Sequence, residues 1–226
     1  MALAGFSQDI FDANLHHTAM GITETLCLAH FNSAWFWQQG QVNDPYGYLQ
    51  SQQRLLFAIP HMTSLEAACV LLNQHRPVHV VFAVPHNTAF AAWQRQARTP
   101  HVASLVNRDH VRHMIRILQR GETLMIAPDQ YVTRNHGGIA STFFGQDVLT
   151  TNSTARLAKL GKAQIVPVIP YRDLDSHTWR VEICQALATQ AEDDETRITQ
   201  MLNHAFEKAI RKSPEQYFWM HRRFRF

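Results

Sequence analysis

Short, continuous apolar runs separated by amphipathic stretches set the pattern of this chain. The runs lie at 55–59, 78–84, 124–127 and 165–169, and each ends at a proline: Pro60, Pro85, Pro128, and Pro170 after an internal Pro167. Runs of this length predict strands buried on both faces. Between them the pattern predicts helices over 64–73, 87–98, 109–120 and 151–160, the third closed by Gly121 and the fourth by Gly161. Strands alternating with helices predict an α/β fold, here one domain over 1–226 with a central, largely parallel sheet flanked by helices. The polar stretch 185–196 reads as a solvated loop leading into a last helix, 196–212. Residues 9–37 differ in texture: largely helical, with Phe11 and Leu15 at i, i+4 spacing and a run Ala34-Trp35-Phe36-Trp37 at the end. That segment either packs on the sheet or contacts a membrane, since Trp suits an apolar–polar boundary. No internal repeat or low-complexity tract divides residues 55–226, which form the core and a carboxy-terminal tail.

Composition narrows the function. With 46% hydrophobic and 17% charged residues the chain suits a globular fold, and no uncharged apolar run reaches the roughly 20 residues that span a bilayer. A net charge of +3 does not indicate a general nucleic-acid binder. The basic character is local: Arg211, Lys212, Arg222, Arg223 and Arg225 crowd the end of the chain among aromatics. That mixture suits phosphate beside apolar surface, as on a phospholipid, or stacking on single-stranded nucleic acid. Cys27, Cys69 and Cys184 show no paired spacing, so a reducing compartment with free thiols is expected and no metal site is indicated.

In an open parallel sheet, sites gather where strands end and turns begin. His61 and Asp129 occupy such positions, each directly after a proline, and Arg172 follows Pro170 by two. Glu66 comes five residues after His61. On one continuous helix that separation turns about 500°, so the side chains would diverge; with His61 in the preceding turn the loop can bring them together. An imidazole oriented by a carboxylate takes a proton from a hydroxyl. Asp129 is by position either a cap or a site residue, and Arg98, ending a helix, by position complements the helix dipole. Phe143 and Phe144 read as an aromatic wall before a polar turn at 149–154, and Arg134 and His136 lie on a loop beside Gly137 and Gly138.

Six stretches together resemble a known family. They are Pro60-His61-Met-Thr-Ser-Leu-Glu66, Asn107-Arg-Asp109, Gly121-Glu122 leading to Ala127-Pro-Asp-Gln130, Phe143-Phe-Gly145, Val166-Pro-Val-Ile-Pro170, and Pro214-Glu-Gln-Tyr-Phe-Trp-Met-His-Arg-Arg-Phe224. In this order they resemble the late (secondary) acyltransferases of lipid A biosynthesis, the lauroyl/myristoyl acyltransferase family, over roughly residues 9–226. The resemblance implies a fold like that of the glycerolipid/lysophospholipid acyltransferases. It implies transfer of a fatty acyl group from acyl carrier protein to a hydroxyl of lipid A or its precursor, without a bound cofactor or metal.

Carried over residue by residue, the resemblance makes His61 the general base and Glu66 the group that orients its ring. Arg98 becomes the cation near the oxyanion, and Asp129 positions the catalytic turn or the acceptor. Arg134, Arg172, Arg222 and Arg223 are implied phosphate contacts, and Trp35, Trp37, Phe143 and Phe144 implied acyl-chain contacts. The implied partners are acyl carrier protein, a lipid acceptor and a membrane surface, not nucleic acid. A monomer peripheral to the cytoplasmic face of the inner membrane is the expected form. The family usually begins with a membrane-spanning helix and a longer basic region, and usually extends past the point matching Phe226. It commonly carries a Tyr-Arg-Pro stretch where this chain has Phe82-Ala-Val-Pro85. The absent arginine keeps a second acceptor in view, a different membrane-associated or secondary-metabolite hydroxyl. A non-catalytic lipid-binding relative is the third reading.

Overall fold

The computed structural model describes residues 6–30, 32–221, 223 and 224. Two helices come first, α1 (Gln8–Cys27) and α2 (Ser33–Gln39), so the stretch expected to be largely helical breaks in two. A seven-stranded sheet follows, built from β1 (Gly40–Asn43), β2 (Leu55–Ala58), β3 (Val78–Phe82), β4 (Ser104–Asn107), β5 (Thr123–Ile126), β8 (Gln164–Asp173) and β9 (Thr178–Ile183). The hairpin β6 (Gly138–Phe143) and β7 (Gln146–Thr151) stands apart from it. The helices between strands are α3 (Leu65–His75), α4 (Thr88–Arg98), α5 (Val111–Gln119) and α6 (Ser153–Gly161), and α7 (Glu195–Ile210) follows the last strand.

The order across the sheet is β1-β9-β8-β2-β5-β3-β4. Strands β8, β2, β5, β3 and β4 run parallel; β9 pairs antiparallel with β8, and β1 runs parallel to β9. The α/β class with a largely parallel sheet is therefore the observed fold. Alternation within the apolar runs explains the layers. Leu56, Ala58, Leu124 and Ile126 face the core under α5, α6 and α7, while Leu55, Phe57, Ile59 and Met125 face the core under α3. All of these are buried, as strands covered on both faces require.

Three expectations change. Strand β8 does not stop at Pro170 but runs through both prolines to Asp173, because beyond Pro167 its neighbour β2 has ended and only β9 pairs with it. Half of the helix-starting turn expected at 149–154 is strand, residues 149–151 of β7, and α6 starts at Ser153. Gly161 is the last residue of α6 and not its stop. A Cβ there would lie 2.6 Å from Leu118, so glycine permits α5 and α6 to approach, and Lys162 takes the left-handed turn.

Glycine has a second such use in α1. A Cβ on Gly21 would collide with the carbonyl of Thr63, two residues past His61, so α1 rests backbone against backbone on that turn. Alanine gains about 1 kcal/mol of helix propensity, but overpacking against a fixed carbonyl costs about 1–3 kcal/mol. Gly21→Ala is therefore expected to lower the melting temperature in a thermal scan; a rise would show that α1 is not seated on the turn.

Candidate active site

Neighbouring strands β2 and β5 assemble the site by register. Ala58 pairs with Ile126, and Ile59 N–H donates to the Ile126 carbonyl at 3.0 Å, carrying the ladder one step further. Both chains then leave the sheet through proline, and the residues three past the matched pair are His61 and Asp129. The ring Nδ1 of His61 lies 2.6 Å from Asp129 Oδ1, and the His61 backbone N–H donates to Oδ2 at 2.8 Å. The His61 side chain keeps 26% of its surface exposed while that of Asp129 keeps 1%. One end of the ring is anchored and the other remains accessible.

Asp129 is an anion by design of its surroundings. Burial alone would raise its pKa, but the charge of His61, the hydrogen bonds from its ring and backbone, and Arg223 outweigh that and hold it down at about 2. A third donor is the Tyr217 hydroxyl, 2.9 Å from Oδ2. Burial, then the neighbouring Asp129 charge, pushes the Tyr217 pKa well up, so the phenol stays protonated and donates. An ionised Asp129 accepts from Nδ1–H, so in the neutral ring the lone pair falls on Nε2.

Glu66 is placed otherwise than expected. Its carboxylate accepts from Arg98 Nε at 3.0 and 3.1 Å and also meets Arg98 Nη2. Burial opposes the Arg98 charge, yet Glu66 more than offsets it and raises the pKa of the guanidinium. The carboxylate on the His61 ring is thus Asp129, and Glu66 in the first turn of α3 serves Arg98 at the end of α4. Spacing within one chain segment favoured Glu66; strand register, which spacing does not carry, selected Asp129.

Two of the arginines expected to contact phosphate are used inside the fold. Arg172 is buried, with Nε and Nη2 each 2.7 Å from a Glu24 oxygen on α1, and further bonds to His17 and Thr63. Arg223 is buried over the Phe143 ring, donating to the Gln130 carbonyl, Thr150 and Asn203. Both are committed to internal partners and are withdrawn as phosphate ligands. Arg222 lies outside the described residues. Arg134 is exposed on a short 3-10 turn and lines a cleft of about 640 Å³ with Tyr131, Ser141, Thr142, Asp147 and Gln200.

The aromatic expectations divide similarly. Phe143 and Phe144 are buried, 4.8 Å apart edge to face, and pack with Trp219 and Phe224. They belong to the core and not to an acyl-chain wall. Trp35 and Trp37 stay partly exposed, Trp35 against Phe36 and Trp179, and Trp37 Nε1 donating to the Val70 carbonyl. Sequence reading overlooked Tyr217 as a site residue although it stands inside a quoted stretch, Pro214-Glu-Gln-Tyr; a tyrosine there signalled nothing until its hydroxyl was placed.

A strand-end histidine with its distal nitrogen accessible and a buried carboxylate behind it is a site for drawing a proton from a hydroxyl or an amine. The comparisons with known proteins agree with a group-transfer class. Residues 7–226 match the family described as bacterial lipid A biosynthesis acyltransferase. The chain belongs to this family of acyltransferases. It is 29% identical over 222 residues to the lipid A biosynthesis palmitoleoyltransferase of Escherichia coli (strain K12), covering 94% of this chain and 70% of that protein. Identity to the lipid A biosynthesis lauroyltransferase of the same organism is 27% over the same shares. A lipid A biosynthesis acyltransferase of Haemophilus influenzae is 28% identical, over 96% of this chain and 70% of that protein. Among solved structures, the 1-acyl-sn-glycerophosphate acyltransferase of Thermotoga maritima aligns with a TM-score of 0.46 and 12% identity, over 94% of this chain and 85% of that one.

The depressed pKa of Asp129 makes a stability prediction. Relative to an ordinary value of 3.8, its contribution is complete above about pH 4 and is lost as pH falls through about 2. In urea melts, the gap between wild type and Asp129→Asn should be widest above about pH 4 and narrow towards pH 2. A gap that does not change with pH would show that Asp129 is not the stabilised anion.

Proposed function

We propose that the chain transfers a fatty acyl group from acyl carrier protein to a hydroxyl of lipid A or its precursor, with His61 as general base. The observation that carries this reading is the His61–Asp129 pair, with Nε2 accessible at the carboxyl ends of the parallel strands. His61 Nε2 takes the proton of the acceptor hydroxyl as its oxygen attacks the thioester carbonyl carbon. The carbon–sulfur bond breaks, and the leaving thiolate takes the proton back from the imidazolium. The products are an ester and a free carrier thiol, so no net proton or electron is required. Arg98, held by Glu66, is proposed to supply positive charge for the intermediate's oxyanion.

The cleft beside Tyr131, two residues after Asp129, has a mixed lining, with Arg134, Thr142 and Gln200 beside Ala140, Val148 and Leu149, and is proposed to take part of the acceptor, with Arg134 meeting phosphate. The Arg95 guanidinium lies 5.0 Å over the Phe82 ring and is proposed to supply the charge missing from the Phe82-Ala-Val-Pro85 stretch. This favours lipid A over a different hydroxyl. Arg112 and Arg116 are exposed on α5, with Arg108 and Arg120 beside it paired to Asp109 and Glu122, and the two α5 arginines are proposed to meet an acidic carrier protein.

The test is an acyl-transfer assay with C10 to C16 acyl carrier proteins, a lipid A precursor and a total polar-lipid extract, read by mass spectrometry. Wild type should add one acyl mass to the precursor, and His61→Ala should lower turnover by roughly 10²–10⁴-fold. Transfer only to another component of the extract would overturn the acceptor, and undiminished transfer by His61→Ala would overturn the base.

No helix among the described residues is long and apolar enough to cross a membrane. Contact with a membrane surface is proposed through α1. Phe11, Leu15, Ile22 and Leu26 are 41–56% exposed and fall within an arc of about 60° on one face of that helix. Leu15→Glu with Ile22→Glu should weaken co-sedimentation with anionic vesicles roughly tenfold or more; unchanged co-sedimentation would remove α1 as the contact.

A further inference from the structure

The carboxy-terminal stretch Pro214–Gln216 and the residues after it form a strap across the catalytic turn. Met62 and Tyr217 make an antiparallel bridge, Thr63 N–H donates to the Gln216 carbonyl at 2.7 Å, and Phe218 N–H donates to the His61 carbonyl at 2.8 Å. Two internal clamps hold the strap. The Gln216 side chain accepts from Arg172 N–H at 2.7 Å and donates to the Arg172 carbonyl at 2.8 Å, fixing it to the end of β8. The buried Asn14 amide of α1 donates to the carbonyls of Glu215 and Tyr217, both at 2.7 Å. The strap is thus fixed from two sides, and it carries Tyr217, buried with its hydroxyl on Asp129.

A carboxylate with two oxygens can rotate, and rotation would change which oxygen meets the ring. Oδ2 is held by two donors, the His61 backbone N–H and the Tyr217 O–H, while Oδ1 meets Nδ1. We propose that Tyr217 is a positioning residue of the acyl-transfer site: its hydroxyl locks Asp129 Oδ2 so that Oδ1 fixes the His61 ring with Nε2 towards substrate. The inference rests on His61 acting as the base. Tyr217 touches neither substrate nor reacting atoms; it acts through Asp129 alone. The charged and titratable groups around the pair are His221, which carries the influence of both His61 and Asp129, and Arg223 beside Asp129.

The experiment is a double-mutant cycle on kcat and KM with Tyr217→Phe, Asp129→Asn and the pair, beside His61→Ala, each checked for folding by its melt. Tyr217→Phe alone should lower kcat by up to about 10²-fold with KM for the acyl carrier unchanged, and should add little in the Asp129→Asn background. With one donor fewer, Asp129 gives more charge to the ring, so the acid limb of kcat/KM should move to higher pH. Fluorotyrosine at position 217 keeps the ring and strengthens the donor, and should move that limb to lower pH; it serves equally if the phenylalanine variant does not fold. An equal loss in both backgrounds, or an acid limb that moves in neither variant, would overturn the role of Tyr217 while His61→Ala remained inactive. Full activity of His61→Ala would instead overturn the base on which the inference rests.

Discussion

Everything near the site depends on keeping one buried carboxylate charged. An anion without water is stable only when donors and opposite charge replace its hydration. Asp129 draws these from three directions: two donors on His61 from the β2 turn, the Tyr217 hydroxyl from the strap, and the charge of Arg223. Each supplier has its own scaffold. The β2–β5 register brings His61, α1 and β8 fix the strap, and Thr150 of β7 with Asn203 of α7 orient Arg223.

This division explains why Tyr217 and Arg223 of the basic, aromatic tail turn inward while Arg211 and Lys212 stay exposed. Taken alone, arginines among aromatics suit an anionic surface. Here Arg223 covers Phe143, and Trp219 Nε1 donates to the Pro214 carbonyl within the strap itself. Arg172 spends its charge on Glu24 of α1. Three tail or strand-end features that suggest ligand contact are thereby parts of the frame that holds the catalytic turn. Among the described residues, Arg134 at the cleft, Arg211 and Lys212, the two tryptophans of α2 and the apolar face of α1 stay outward. A polar acceptor head with acyl chains presents that same pair of chemistries.

The parts of this arrangement legible beforehand were those written in continuous runs. Strands β2, β3, β5 and β8 show as apolar stretches ending near prolines, and α3, α4, α5 and α7 as amphipathic periods. Strands β1 and β4 are four residues each with polar ends, too short to rise above loop composition. β9 does alternate, with Trp179, Val181 and Ile183 buried, a period-two signal shorter and weaker than the fully buried runs. His61 and Asp129 were both visible as residues after strand-end prolines, but which strands lie side by side is a tertiary fact. For that reason spacing points to Glu66, whereas the carboxylate on the His61 ring is that of Asp129. Tyr217 was invisible for the same reason, since its hydroxyl matters only where the tail lands.

The central claim is that Asp129, and not Glu66, sets the protonation of the His61 ring. The most direct measurement is nitrogen-15 NMR of histidine-labelled protein near neutral pH, comparing wild type with Glu66→Gln and Asp129→Asn. The expected result is a His61 ring protonated at Nδ1, bare at Nε2, unaltered by Glu66→Gln and disturbed by Asp129→Asn. A ring protonated at Nε2 in wild type, or one whose tautomer follows Glu66 and ignores Asp129, would contradict it.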